Sequence, residues 1–257
     1  MKGALRGFRD ITSGIPSIGK PISALIGLLV FCSTTGLGQI ILDNFSVDTV
    51  SHPNYDFAPV FPSDASDGWA VSGGALRPSM AENTSATWLW NQGQKLSATG
   101  DAVSISLSMS ADADNGFPTS IGLFLAADRD SVFLGHEITL TTSGNFWSYS
   151  IDGSATQAAS APTGPVTVSV KRTGQSVDGF VYSVTFSGTG VPSIPDNTFT
   201  DASTSLLFGP FAYNSAGATA SLDNFTFTAV PEPSMYAAVF GLLALATAAI
   251  RNRAKRV

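Results

Sequence analysis

The sequence predicts an all-β fold, an antiparallel β-sandwich, flanked by an N-terminal signal helix and a C-terminal transmembrane helix. Three observations predict it. Between Gln39 and Val230 apolar residues alternate with polar ones at period two, with no convincing helical stripe. Turn-forming pairs such as Asn115-Gly116, Asp152-Gly153 and Asp178-Gly179 punctuate the alternation. Each end of the chain joins an uncharged apolar run to a cluster of cations.

The first segment carries Lys2, Arg6, Arg9 and Lys20, then the run ISALIGLLVFCSTTGLG, with Gly36 and Gly38 as small residues ahead of Gln39. It reads as a secretory signal peptide over residues 1–38. Its charged part is long for such a signal, so a downstream start or an uncleaved anchor is the alternative. The single cysteine, Cys32, follows the bulky Phe31, which argues against a lipid attachment site. Removal of this segment leaves no cysteine, hence no disulfide, thiolate metal site or Cys nucleophile.

The strands follow. In VSISLSM, Val103, Ile105, Leu107 and Met109 share one face and serines the other. In PVTVSVKR the face is Val166, Val168 and Val170; in GFVYSVTFSG it is Phe180, Tyr182, Val184 and Phe186. In SLDNFTFT, strict alternation puts Asp223, Phe225 and Phe227 together. IGLFLAA and VFLGHEITL are continuously apolar and suit central strands. Asp43-Asn44-Phe45 near the start is echoed by Asp223-Asn224-Phe225 near the end. A second sandwich does not fit in the length, so the echo predicts first and last strands lying side by side, each burying its Phe.

Charge narrows the partners. Of 13 Lys and Arg, only Arg77, Lys95, Arg129, Lys171 and Arg172 lie between Gln39 and Val230, against 17 of the 19 acids, a net charge of −12. Such a domain is unsuited to nucleic acid or anionic lipid, which need clustered cations.

Catalytic constellations are sparse. A glycosidase needs two carboxylates about 5–10 Å apart, and Glu82 and Glu137 are the only glutamates in this span. Glu137 follows His136 on a strand, so the two point to opposite faces. His52 and His136 have neither a Gly-x-Ser-x-Gly partner nor zinc-like spacing, and both read as structural. No enzyme activity is expected and no cofactor is required. Calcium could bind as a structural ion at Asp112 and Asp114, which alternate before Asn115-Gly116, or between Asp43 and Asp223. Trp88, Trp90 and Trp147 could stack on sugar rings, although core packing is the commoner use of tryptophan.

The tail reads VPEPSMYAAVFGLLALATAAIRNRAKRV. A Pro-Glu-Pro triplet (Pro231, Glu232, Pro233) precedes an apolar run from Met235 to Ile250, then Arg251, Arg253, Lys255 and Arg256 as membrane-stop charges. As a helix the run spans about 24 Å, against a hydrocarbon core of about 30 Å, so it reads as a short spanning helix with its cationic end in the cytoplasm. This ordered triad resembles the PEP-CTERM sorting domain of exported bacterial proteins. The resemblance implies processing near Pro231, Glu232 and Pro233 by an exosortase, a membrane-embedded cysteine protease, and delivery to the cell surface or extracellular matrix.

The order of strands, with LFLAADRDSVFLGHEI followed by NFWSYSIDG, resembles the concanavalin A-like lectin/glucanase jelly roll. The expected organisation is a signal peptide over 1–38, a sandwich over 39–229 and a sorting and anchor segment over 230–257. The expected protein is a non-enzymatic surface or matrix component; the alternative is a carbohydrate-binding module retaining exopolysaccharide, and a degenerate glycoside hydrolase stands third.

Overall fold

The computed structural model describes residues 39–46, 54–58, 69–78, 85–110, 118–129, 134–143, 146–192, 194, 197–214, 219–230 and 233–254. The signal segment, His52, Glu82, the loop with Asp112 and Asp114, Pro231, Glu232, Lys255 and Arg256 lie outside them, as do the side chains of Pro233 and Arg253.

Among the described residues the strands form two antiparallel sheets. The eight-stranded sheet runs β13 (Thr198–Asp201), β12 (Gly179–Gly188), β11 (Val166–Ser176), β6 (Ala102–Met109), β15 (Ala220–Thr228), β4 (Ala75–Pro78) and β3 (Trp69–Ser72), with β1 (Gln39–Asp43) also paired to β15. The seven-stranded sheet runs β10 (Ser154–Ala159), β9 (Phe146–Ile151), β8 (His136–Ser143), β7 (Thr119–Ala126), β14 (Leu207–Tyr213), β5 (Ser85–Trp90) and β2 (Tyr55–Ala58). One core cluster draws on both, including Val103, Ile105, Val168 and Phe225 from the first and Ile121, Leu123, Leu140 and Phe208 from the second. The fold is therefore an all-β antiparallel sandwich. Apolar faces that alternation leaves on each sheet are removed from water by packing on one another.

Predicted faces hold strand by strand. Val103, Ile105 and Leu107, and likewise Val166, Val168 and Val170, are fully buried. β7 is central, between β8 and β14, and nearly all its residues are buried, as a continuously apolar strand requires. First and last strands pair antiparallel, and Phe45 and Phe225 of the echoed motif are both 0% exposed.

One face departs from expectation. Asp223 does not share a face with Phe225 and Phe227. The register of β15 on β6 shifts between Asp223 and Thr226: Asp223 lies opposite Ser106, and Thr226 opposite Ser104. Asn224 is the extra residue of this β-bulge, and its φ of 51° is left-handed, a region Asn tolerates better than most side chains. The slip puts Leu222, Phe225 and Phe227 in the core and leaves Asp223 partly exposed.

The C-terminal helix α1 (Pro233–Ala254) forms as expected, but it is not the spanning helix the sequence suggests. Among the described residues no helix is long and apolar enough to cross a membrane. The uncharged stretch ends at Ile250, and Arg251, Asn252 and Arg253 fall within the last turn of the helix, so its apolar part falls short of a bilayer core of about 30 Å.

Close sheet packing sets a checkable limit. A Cβ at Gly209 on β14 would fall on the carbonyl oxygen of Trp88 on β5, and one at Gly122 on β7 on that of Ile138 on β8. Gly174 on β11 has open space instead. Urea unfolding of Gly209→Ala and Gly122→Ala should show each destabilised by about 1–3 kcal/mol, with Gly174→Ala close to the parent.

Candidate functional site

The outer face of the eight-stranded sheet holds a cavity of about 460 Å³ lined by Gln39, Ile41, Ser104, Ser106, Thr167, Asn224 and Thr226. Period-two alternation makes this lining. Because Val103, Ile105 and Leu107 face the core, Ser104 and Ser106 of β6 must face out; because Val166 and Val168 face the core, Thr167 of β11 must too. Pairing then sets them in rows. Ser106 has Thr167 on one side and Asp223 on the other, and Thr226 lies between Ser104 and Ile41. The hydroxyls of Ser104 and Thr226 are 2.7 Å apart and share a hydrogen bond. At the bulge, Asn224 donates from its backbone N to Asp223 Oδ1 at 2.6 Å and from Nδ2 to Asp223 Oδ2 at 3.2 Å. The lining offers hydroxyl and amide groups that both donate and accept, one apolar side chain, and no ionisable group.

The tryptophans assigned to sugar stacking lie elsewhere. Trp88, Trp90 and Trp147 are 5%, 5% and 3% exposed. Trp88 packs on Tyr55 and Trp69 at centroid distances of 5.5 and 5.8 Å, and Trp90 on Tyr55 and Phe225 at 5.2 and 6.2 Å. Trp90 Nε1 donates to Gln94 Oε1 at 2.6 Å, which satisfies its polar atom. These rings are core, because each buries about 150–250 Å² that the inner faces need covered.

Each aspartate of the expected calcium pair has a hydrogen-bond partner of its own. Asp43 Oδ1 accepts from the Phe45 backbone N at 2.7 Å, and its carboxylate charge, after burial, holds the Tyr55 hydroxyl well above its ordinary value. Asp223 is engaged with Asn224 instead. No group of three or more His, Cys, Asp or Glu that could hold a metal occurs among the described residues. Asp112 and Asp114 are not among them.

The carboxyl of Glu137 is held above its ordinary value, first by burial and then by the charge of Asp152. The Asp152 carboxylate is already committed: its Oδ1 accepts from the Glu137 backbone N at 2.9 Å and its Oδ2 bonds His136 at 2.8 Å.

Sequence reasoning missed the cavity residues. Outward serines and threonines were visible in the alternation, and the β1–β15 pairing in the echoed motif, but the placement of β6 and β11 beside β15 needed the topology.

No protein-family model matches the chain, and no curated protein does. Solved structures do. The chain is similar to a lectin from Bauhinia forficata in complex with GalNAc, at 8% identity and a TM-score of 0.48, over 75% of this chain and 97% of that one. It is similar to the Emp47p carbohydrate recognition domain at 11% identity and a TM-score of 0.44, over 76% and 96%. It is also similar to a mutant form of the GH43 protein BlXynB from Bacillus licheniformis, at 12% identity and a TM-score of 0.47, over 74% of this chain and 39% of that one.

The core role of the tryptophans is testable. Trp88→Ala should lower the unfolding free energy by about 3–5 kcal/mol, measured by urea denaturation followed by fluorescence.

Proposed function

We propose that this chain is an exported, non-catalytic carbohydrate-binding sandwich of the concanavalin A-like kind, which retains extracellular polysaccharide on the outer face of its eight-stranded sheet. One observation carries the reading: the cavity over β1, β15, β6 and β11 is lined by neutral hydrogen-bonding side chains. Sugar hydroxyls donate and accept at once, as Ser, Thr, Asn and Gln side chains do, and Ile41 offers apolar contact to a ring face. A volume of about 460 Å³ lies within the roughly 300–1,000 Å³ of small-ligand sites. With no titratable group in the lining, general acid–base chemistry has no agent there. The acidic surroundings favour neutral glycans over polyanions.

Asn224→Gly tests the site. Glycine accepts the left-handed backbone while removing the amide, so the fold is kept. Glycan arrays on the purified protein should identify a neutral glycan. Titration calorimetry should then show Asn224→Gly and Ser106→Ala each weakening it by about tenfold, or ~1.4 kcal/mol, with unchanged melting temperature. No saturable binding, or affinity unmoved in both variants, overturns the proposal.

Delivery is read from the tail. In sequence, Pro231, Glu232 and Pro233 follow β15 and lead into the apolar run, the order the PEP-CTERM resemblance implies for cutting by an exosortase. Mass spectrometry of surface-recovered protein should find a C-terminus near Pro233. A C-terminus at Val257 would reject this part alone.

A further inference from the structure

His136 opens β8 at one corner of the sandwich, where the two sheets end in β10 and β13. Its ring bridges them. Nδ1 lies 2.8 Å from Asp152 Oδ2, in the β9–β10 turn of the seven-stranded sheet. Nε2 lies 3.1 Å from Asp201 Oδ2, at the end of β13 in the eight-stranded sheet. The ring also packs on Phe199 of β13 at 4.2 Å, and Phe199 stacks on Tyr182 of β12 at 5.0 Å.

A neutral imidazole has one N–H and one lone pair. With carboxylates on both nitrogens, the neutral ring can donate to one and must turn its lone pair on the other. The imidazolium donates to both. We infer that His136 is a protonation-controlled latch: charged, it ties β13 to the β9–β10 turn of the opposite sheet, and on losing its proton it lets the β13 edge open.

β13 is suited to opening. It has four residues and, among the described residues, pairs only with β12, from Phe180↔Asp201 to Ser183↔Thr198. Beyond that four-pair ladder, the latch and the Phe199 ring contacts tie it to the rest, and short edge elements open at low free energy.

The groups that face or neighbour the ring are accounted for among the described residues. Asp152 comes from the turn, Asp201 from β13, and Glu137 is its chain neighbour on β8. Tyr182 of β12 and Arg172 of β11 stand behind Phe199; the guanidinium donates from Nη1 to the Thr204 carbonyl at 2.6 Å.

The direction of the pH response follows. Burial works against charge on His136, but the hydrogen bonds and charges of Asp152 and Asp201 outweigh it and hold the ring above its ordinary value. The contribution is thus full below the unfolded value of about 6.5 and is lost as pH rises through the raised folded value. Asp201 runs the other way. Burial would lift it, but hydrogen bonds from Ser203 and the bond and charge of His136 bring it below the usual range. Its contribution is present above about 3.9 and is lost as pH falls through the depressed value. The latch is therefore closed in mildly acidic solution and opens on the alkaline side.

The test is hydrogen exchange on the full chain, corrected for the intrinsic pH dependence of exchange, with NMR titration of the histidine rings. Protection over Thr198–Asp201 should fall by about tenfold or more from about pH 6 to pH 9, while Val166–Val170 on β11 stays protected. The ring signal that disappears in His136→Gln should titrate above its ordinary value. The pH step over β13 should vanish in His136→Gln, and Asp152→Asn, which keeps the ring, should lower its titration midpoint. A flat β13 profile in the parent, the same step in His136→Gln, or a midpoint unmoved in Asp152→Asn overturns the latch.

Discussion

The sandwich depends on how β15 meets the opposite sheet. Phe225 and Phe227 pack on Phe208 of β14 at centroid distances of 5.7 and 5.5 Å, and Phe225 also stacks on Tyr55 at 6.2 Å. The same strand pairs with β6, β4 and β1, so it joins the first strand of the chain to the centre of its sheet. Strict alternation would have placed Asp223 in the core beside those rings. A carboxylate buried without compensation costs several kcal/mol, whereas a single left-handed Asn costs of order 1 kcal/mol. The bulge at Asn224 is the lower-energy solution, and it moves Asp223 out of the core.

That local solution also shapes the outer face. The extra residue puts Asn224 at the rim of the cavity and keeps Thr226 in line with Ser104 and Ile41. The neutral lining follows from the way the strands divide their residues: valine, isoleucine, leucine and aromatics go inward, and short hydroxyl side chains are left outward. Short hydroxyls lose little rotamer freedom when they hold a ligand, so a face built from them is preorganised for hydrogen bonding in a way that long charged side chains are not.

Much of this was legible in the sequence. Period two pointed to the all-β class and to the faces of β6, β11 and β12, because side-chain direction in a strand is local. The repeated Asp-Asn-Phe pointed to the pairing of β1 with β15. Three things were hidden, for different reasons. The bulge depends on the partner strand, so alternation alone misassigned Asp223. The fate of Trp88, Trp90 and Trp147 depends on what stands opposite: a ring on a half-apolar strand can serve the core or a ligand equally well until the facing sheet is known. The contacts of His136 join residues distant in sequence, and nothing local to HEITL, DGS or FTDAS announces that they meet.

The cavity and the His136 bridge occupy different parts of the same sheet. The cavity uses β1, β15, β6 and β11, whereas the His136 bridge acts on β13, beyond β12. β11 is held on one side by β12 and on the other by β6 through continuous pairs from Val166↔Leu107 to Lys171↔Ala102. Loss of β13 takes away four pairs on β12 and leaves every pair beneath the cavity in place. An edge strand can therefore respond to pH while the cavity face two strands away keeps its register, because a sheet is held together by local ladders and not by one shared contact. A titration that opened β13 and also abolished glycan binding would then point to a coupling carried through the core, by way of Phe199, Tyr182 and the residues they pack against, instead of through the sheet.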